Sequence, residues 1–213
     1  MNWKVQYYTE WKAHREREAD QPSTDTRREG REAREVHPPE AFVKYFLDTE
    51  FIEAGRYKPI TLISIGIVRE DGEQFYAVSA DFRDRDCSDW VKSNVLPRLW
   101  SIQPIERQFK MPVAEIALQV RAFIGDDKPE FWGYYADYDW VVFCQMFGAM
   151  IDLPKGWPRY CHDLKQLADE MGDTRIPKQG ADEHNALRDA YWNWEAYRYL
   201  DGMRTRPIWN GGL

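Results

Sequence analysis

The sequence predicts an α/β fold, a mixed β-sheet flanked by α-helices, and three observations lead there. Residues 60–68 (ITLISIGIV) are almost continuously apolar and β-branched, as a central strand buried on both faces would be. Residues 70–73 (EDGE) carry an Asp-Gly hairpin signal between two strand-like runs, which predicts an antiparallel meander. Beyond residue 90, helix-spaced and strand-like segments alternate, the pattern of helices packed on a sheet.

Composition narrows the class. The chain has 213 residues, enough for one domain with a substantial core and an appendage. Its formal net charge of -7 rules out a global basic field advertising nucleic acid. An enzyme that recruits metal ions is still allowed, because the ions place positive charge where the substrate sits. The three cysteines, Cys87, Cys144 and Cys161, are odd in number and far apart, which argues against a disulfide framework and a thiolate zinc site. The first residues lack the apolar stretch of a signal peptide, and no run reaches the length of a membrane span. The expectation is a soluble cytoplasmic protein with no membrane partner.

Taken in order, residues 1–40 stand apart. After an aromatic start (Trp3, Tyr7, Tyr8, Trp11) they are dominated by Arg and Glu, and Val36 is the only aliphatic residue larger than Ala between Ala13 and Ala41. Such a segment cannot offset its ordering entropy by burial, so a disordered charged tail is expected, ending at Pro38-Pro39. Strands follow at 45–51, 60–68 and 74–79. A short helix is expected from 90, stopped near Pro97, then irregular chain over 102–112. Residues 115–124 read as a helix with Ile116, Val120, Phe123 and Ile124 on one side. A strand at 130–135, a helix at 138–147, a short strand at 158–161 and a helix capped by Asp163 come next. A polar loop over 172–183 leads to a last helix with Leu187, Ala190, Tyr191, Trp194 and Tyr197 at core spacing. There are no internal repeats.

The chemistry starts in the first strand, at Leu47-Asp48-Thr49-Glu50-Phe51. Alternation puts Asp48 and Glu50 on one face, about 7 Å apart at roughly 3.3 Å per residue. Two carboxylates that close call for a positive neutraliser, and Mg²⁺ or Mn²⁺ prefers oxygen ligands. Asp-x-Glu is common in solvated turns, so the reading depends on partners elsewhere. Asp139 falls where a strand runs into a helix, the end of an α/β sheet at which ligands gather, and its place in the first turn also suits the helix dipole. Asp137 is a neighbouring rival; Asp139 is preferred because it follows Tyr138 at the helix entry. His184 and Asp189 would lie about 140° apart if both were helical. With His184 on the loop and Asp189 in the first turns of the helix, both can reach one point. An imidazole beside a metal cluster is a suitable base, because histidine ordinarily titrates near neutrality.

These residues form an ordered set, and on them the chain resembles the DEDDh branch of the 3′-5′ exonucleases, which have a ribonuclease H-like fold. The first motif is Leu47-Asp48-Thr49-Glu50-Phe51, the second ends in Tyr138-Asp139, and the third runs from His184 to Asp189. Within that branch, residues 45–53, 62–68 and 138–141 look like the bacterial and phage exoribonuclease AS family. Tyr135 and Ala136 depart from broader members, which often carry Asn there. The resemblance spans roughly residues 44–199. It implies an exonuclease domain over 41–204 followed by a C-terminal tail, 205–213.

The resemblance further implies a metal-dependent 3′-5′ exoribonuclease that releases nucleoside 5′-monophosphates from single-stranded RNA 3′ ends, with a preference for adenylate. Asp48, Glu50 and Asp189 would bind one of two Mg²⁺ (or Mn²⁺) ions. Asp48 would bridge to the second, with Asp139 assisting, and His184 would take the proton from the attacking water. Thr49 would flank the terminal sugar through its backbone, and Phe51 would stack on the terminal base, where core packing of Phe51 is the competing reading. The expected partners are an RNA 3′ end and a second copy of the chain as a homodimer. The alternatives are a DNA 3′-5′ exonuclease of the same fold and a nucleic-acid-binding module without activity.

Overall fold

The computed structural model describes residues 41–53, 55–102, 110–172, 176–180 and 183–204. The tails expected at 1–40 and 205–213 lie outside the described residues. No helix among those described is long and apolar enough to cross a membrane.

Six strands form one mixed sheet: β1 (Val43–Glu53), β2 (Ile60–Arg69), β3 (Gln74–Ser79), β4 (Lys110–Met111), β5 (Pro129–Gly133) and β6 (His162–Asp163), in the order β4-β3-β2-β1-β5-β6. β1 to β3 are an antiparallel meander, whereas β3 with β4, β1 with β5 and β5 with β6 pair in parallel. The β2–β3 hairpin closes where the sequence predicts, with the Gly72 N–H donating to the Arg69 carbonyl and φ of +94° at Gly72. The helices are α1 (Asp89–Asn94), α2 (Val113–Ile124), α3 (Asp137–Phe147), α4 (Leu164–Glu170) and α5 (Ala186–Arg204). This is the predicted mixed sheet flanked by helices.

Side-chain alternation sorts the core. Tyr45 and Leu47 of β1, with Ile65 and Ile67 of β2, pack on α2 and α3. Phe46 and Val68 point the other way, onto α4 and α5. On that second face the residues of β1 run Phe46, Asp48, Glu50, Ile52, and Ile52 enters a separate cluster with Val91, Val95 and Leu99 of the α1 region. The two acids therefore lie between two hydrophobic clusters. The parallel β1–β5 pairing ends at Phe46 opposite Trp132, so the β1 edge from Leu47 onward loses its strand partner. Asn193 of α5 covers the first exposed acceptor, donating through Nδ2 to the Leu47 carbonyl at 2.9 Å, with both groups buried.

Two short strands differ from expectation. The strand placed at 158–161 forms instead at His162–Asp163, where the His162 ring stacks on Trp132 of β5 with centroids 4.4 Å apart. Pro158 has no N–H to offer a ladder. Lys110–Met111, inside the stretch expected to be irregular, pairs with β3; residues 103–109 lie outside the description. The Asp163 cap is as predicted, its Oδ1 accepting from the Gln166 N–H at 2.9 Å, while Oδ2 accepts from the Ala136 N–H ahead of α3 at 2.8 Å.

One contact fixes α5 against the sheet. Gly66 of β2 sits directly opposite Asp48 of β1. A Cβ on Gly66 would come within 2.2 Å of the Ala186 carbonyl oxygen and 2.4 Å of the Leu187 Cα. The first turn of α5 thus rests on bare β2 backbone. Gly66→Ala should destabilise the protein by about 1–3 kcal/mol, the usual range for overpacking, read from denaturant unfolding. A variant as stable as the parent would show that α5 moves away at no cost.

Candidate active site

Asp48 and Glu50 project from the same face of β1, half-buried, across from Gly66 and Ser64. The close seating of α5 on Gly66 brings its first turn over them, and Asp189 joins the pair. Each of the three offers a carboxylate oxygen, and these atoms all lie within 4.8 Å of one another. Asp189 is 8% exposed.

Asp139 arrives from elsewhere. It sits in the first turn of α3, which leaves the sheet just after β5 ends. Its Oδ1 accepts two hydrogen bonds from Thr49, from the N–H at 2.8 Å and from the hydroxyl at 2.6 Å. It stands outside the three-carboxylate group yet near enough for its charge to act on Asp48. Thr49, expected beside the terminal sugar, directs both of its donors to Asp139. Phe51 is half-buried and stacks on Tyr138, with centroids 5.7 Å apart and planes 9° from parallel. It also packs on the α2–α3 core.

His184 lies on the loop before α5, not in the helix, with φ of +71°. Its N–H donates to Asp189 Oδ2 at 2.9 Å, and its ring meets the indole of Trp90 edge-on at 4.8 Å. The helix starts two residues later, at Ala186, because Asn185 caps it: Oδ1 accepts from the Arg188 N–H at 3.3 Å, while Nδ2 donates to the Arg98 carbonyl at 2.9 Å. Gln179 supplies a further donor, Nε2 to Asp189 Oδ1 at 3.2 Å. Sequence reasoning missed Gln179, Trp90 and the cap. Only the cap had a signal, an Asn directly before an apolar-periodic run.

The electrostatics follow from the crowding. Burial, then the charges of Asp139, Asp189 and Glu50, hold the Asp48 carboxyl well above the usual range. Burial and the neighbouring carboxylates push Glu50 up to about 8, with Arg98 acting in the opposite direction. Burial raises Asp139 to about 6 against the pull of the two Thr49 hydrogen bonds, and raises Asp189 to about 6 against the His184 N–H. An all-oxygen, anionic, convergent donor set of this kind fits a hard divalent cation such as Mg²⁺ or Mn²⁺.

Comparisons with known proteins bear on this cleft. A family model described as the 3′-5′ exoribonuclease Rv2179c-like domain matches residues 43–200. Two Mycobacterium tuberculosis proteins, the 3′-5′ exoribonuclease Rv2179c of strain H37Rv and the 3′-5′ exoribonuclease MT2234.1 of strain CDC 1551, are each 41% identical over 161 residues, 74% of this chain and 93% of theirs. Among solved structures, the zinc-bound E. coli exonuclease I complex with single-stranded DNA aligns with a TM-score of 0.49 and 16% identity, over 78% of this chain and 41% of that one. The S. pombe Pop2p structure with Mg²⁺ and Mn²⁺ aligns with a TM-score of 0.46 and 13% identity, over 80% and 85%.

The raised carboxyls make stability depend on pH and metal. An acid whose folded pKa exceeds its unfolded value favours folding while it is protonated, and that contribution is lost as pH rises through the folded values. The window runs from the ordinary carboxylate range near 4, through about 6 for Asp139 and Asp189, to about 8 for Glu50. Metal-free protein should therefore melt lower at pH 8.5 than at pH 5. Mg²⁺ at a hundred times its Kd should restore about 2.7 kcal/mol at the higher pH and much less at the lower. A metal-free melting temperature that rises across the window would contradict the assignment.

Proposed function

The chain belongs to the 3′-5′ exoribonuclease Rv2179c-like domain family, and on that footing we propose that its acidic cleft trims single-stranded RNA from the 3′ end, releasing nucleoside 5′-monophosphates. The enzyme class, a 3′-5′ exoribonuclease hydrolysing phosphodiester bonds, comes with the family. The division of labour among residues is our reading, as is a preference for adenylate. Its main support is the convergence of Asp48, Glu50 and Asp189, with Asp139 and His184 tied into the same cleft through Thr49 and Asp189.

Asp48, Glu50 and Asp189 would hold one divalent ion, and Asp48 with Asp139 a second. Two such ions, Mg²⁺ or Mn²⁺, would supply positive charge at the attacking and leaving oxygens of an in-line displacement at phosphorus. His184 takes the proton from the attacking water as its oxygen bonds to phosphorus, and the bond from phosphorus to the 3′ oxygen breaks. The contact with Trp90 and the N–H bond to Asp189 limit where the imidazole can travel. Phe51, backed by Tyr138, offers the terminal base an aromatic face, and such stacking contributes about 1–3 kcal/mol per base without demanding a sequence. No protein nucleophile is needed, since water is the acceptor.

Asp48→Ala should lower mononucleotide release from 3′-labelled RNA to background while the far-ultraviolet circular dichroism stays that of the parent. His184→Ala should lower kcat by about 10²–10⁴-fold and leave metal affinity nearly unchanged. Run in parallel on RNA and DNA, on poly(A) and mixed sequence, with and without Mg²⁺, the assay also tests substrate choice. Faster trimming of DNA would replace the RNA reading, and mononucleotide release by Asp48→Ala would remove the catalytic one.

A further inference from the structure

Thr49 occupies the one position between the two acids of β1, and it is 5% exposed. The β1 edge at this point has lost β5, whose pairing ended three residues earlier. An unpaired N–H on a buried edge needs an acceptor, and Asp139 Oδ1 provides it at 2.8 Å. The Thr49 hydroxyl then adds a second, shorter bond to the same oxygen at 2.6 Å. A β-branched residue suits the strand here, and Val or Ile would meet that need equally well. Only Thr also brings the second donor. With both Thr49 donors on one oxygen of a residue 90 positions further along the chain, the Asp139 carboxylate has little freedom to rotate.

We propose that Thr49 is a positioning residue, whose hydroxyl locks the Asp139 carboxylate in the orientation the metal centre requires, rather than a contact to the substrate. This rests on the reading of Asp139 as part of that centre. Partners of ligating carboxylates commonly influence metal affinity or activity by about 10–100-fold. The N–H bond survives any substitution other than Pro, so side-chain variants isolate the hydroxyl.

The test uses the full chain with Thr49→Val, Thr49→Ser, Thr49→Ala, Asp139→Asn and the Thr49→Val/Asp139→Asn double variant. Three quantities are read: Mn²⁺ affinity by calorimetry without RNA, RNA affinity by anisotropy without metal, and single-turnover release from 3′-labelled RNA. Thr49→Val should weaken Mn²⁺ binding and slow release by about 10–100-fold with RNA affinity within about twofold, and Thr49→Ser should recover most of both. Added to Asp139→Asn, Thr49→Val should do nothing more, since partners in one unit do not act additively. Effects that multiply, a change confined to RNA affinity, or a Thr49→Val protein equal to the parent would overturn the proposal. If Thr49→Val fails to fold, Thr49→Ala serves; if neither folds, Thr49 is a stability residue and the proposal is wrong. A fully active Asp139→Asn would instead defeat the reading of the centre itself, and that result is separate.

Discussion

Four carboxylates held in one half-buried cleft repel each other, and every larger feature of the domain serves to keep them there. Asp48 and Glu50 are neighbours by the geometry of a single strand, so their proximity is set locally. Asp189 and Asp139 come from the two sides of the sheet. One is pressed in by a helix resting on the bare backbone of Gly66, the other is drawn round an abandoned strand edge by Thr49. The hydrophobic clusters on both sheet faces supply the favourable term that offsets this crowding. Local donors soften it further: Thr49 toward Asp139, His184 and Gln179 toward Asp189. What crowding remains makes the cleft favour protons or divalent ions.

Much of the fold was legible because period carries far in a sequence. The run 60–68 is unmistakably a central strand, and its neighbours follow from the Asp-Gly turn. Helices α2, α3 and α5 declare themselves by apolar spacing, and α4 by its Asp163 cap. The two-residue strands β4 and β6 were not legible, since two residues hold no period. β6 takes its register from a ring stacked on Trp132, a contact some thirty positions distant.

The candidate site divides in the same way. That Asp48 and Glu50 share a face follows from alternation alone. Whether His184 sits in the helix or before it turns on Asn185, whose side chain caps the helix by accepting from the Arg188 N–H. The bridge from Thr49 to Asp139 left no trace, because a hydroxyl inside a strand looks like any other β-branched choice until its partner is known. Gly66 was equally silent, reading as one more residue in an apolar run until the helix above it is seen.

The second face of β1 passes from one greasy anchor at Phe46, over two acids, to another at Ile52. Those anchors pack on different helices, Phe46 on α4 and α5 and Ile52 on the α1 region, and the Trp90–His184 and Asn185–Arg98 contacts tie the two walls together above the acids. Substitutions among Val91, Val95 and Leu99 would shift the wall that carries Trp90 while Asp48 and Glu50 stay fixed to their strand.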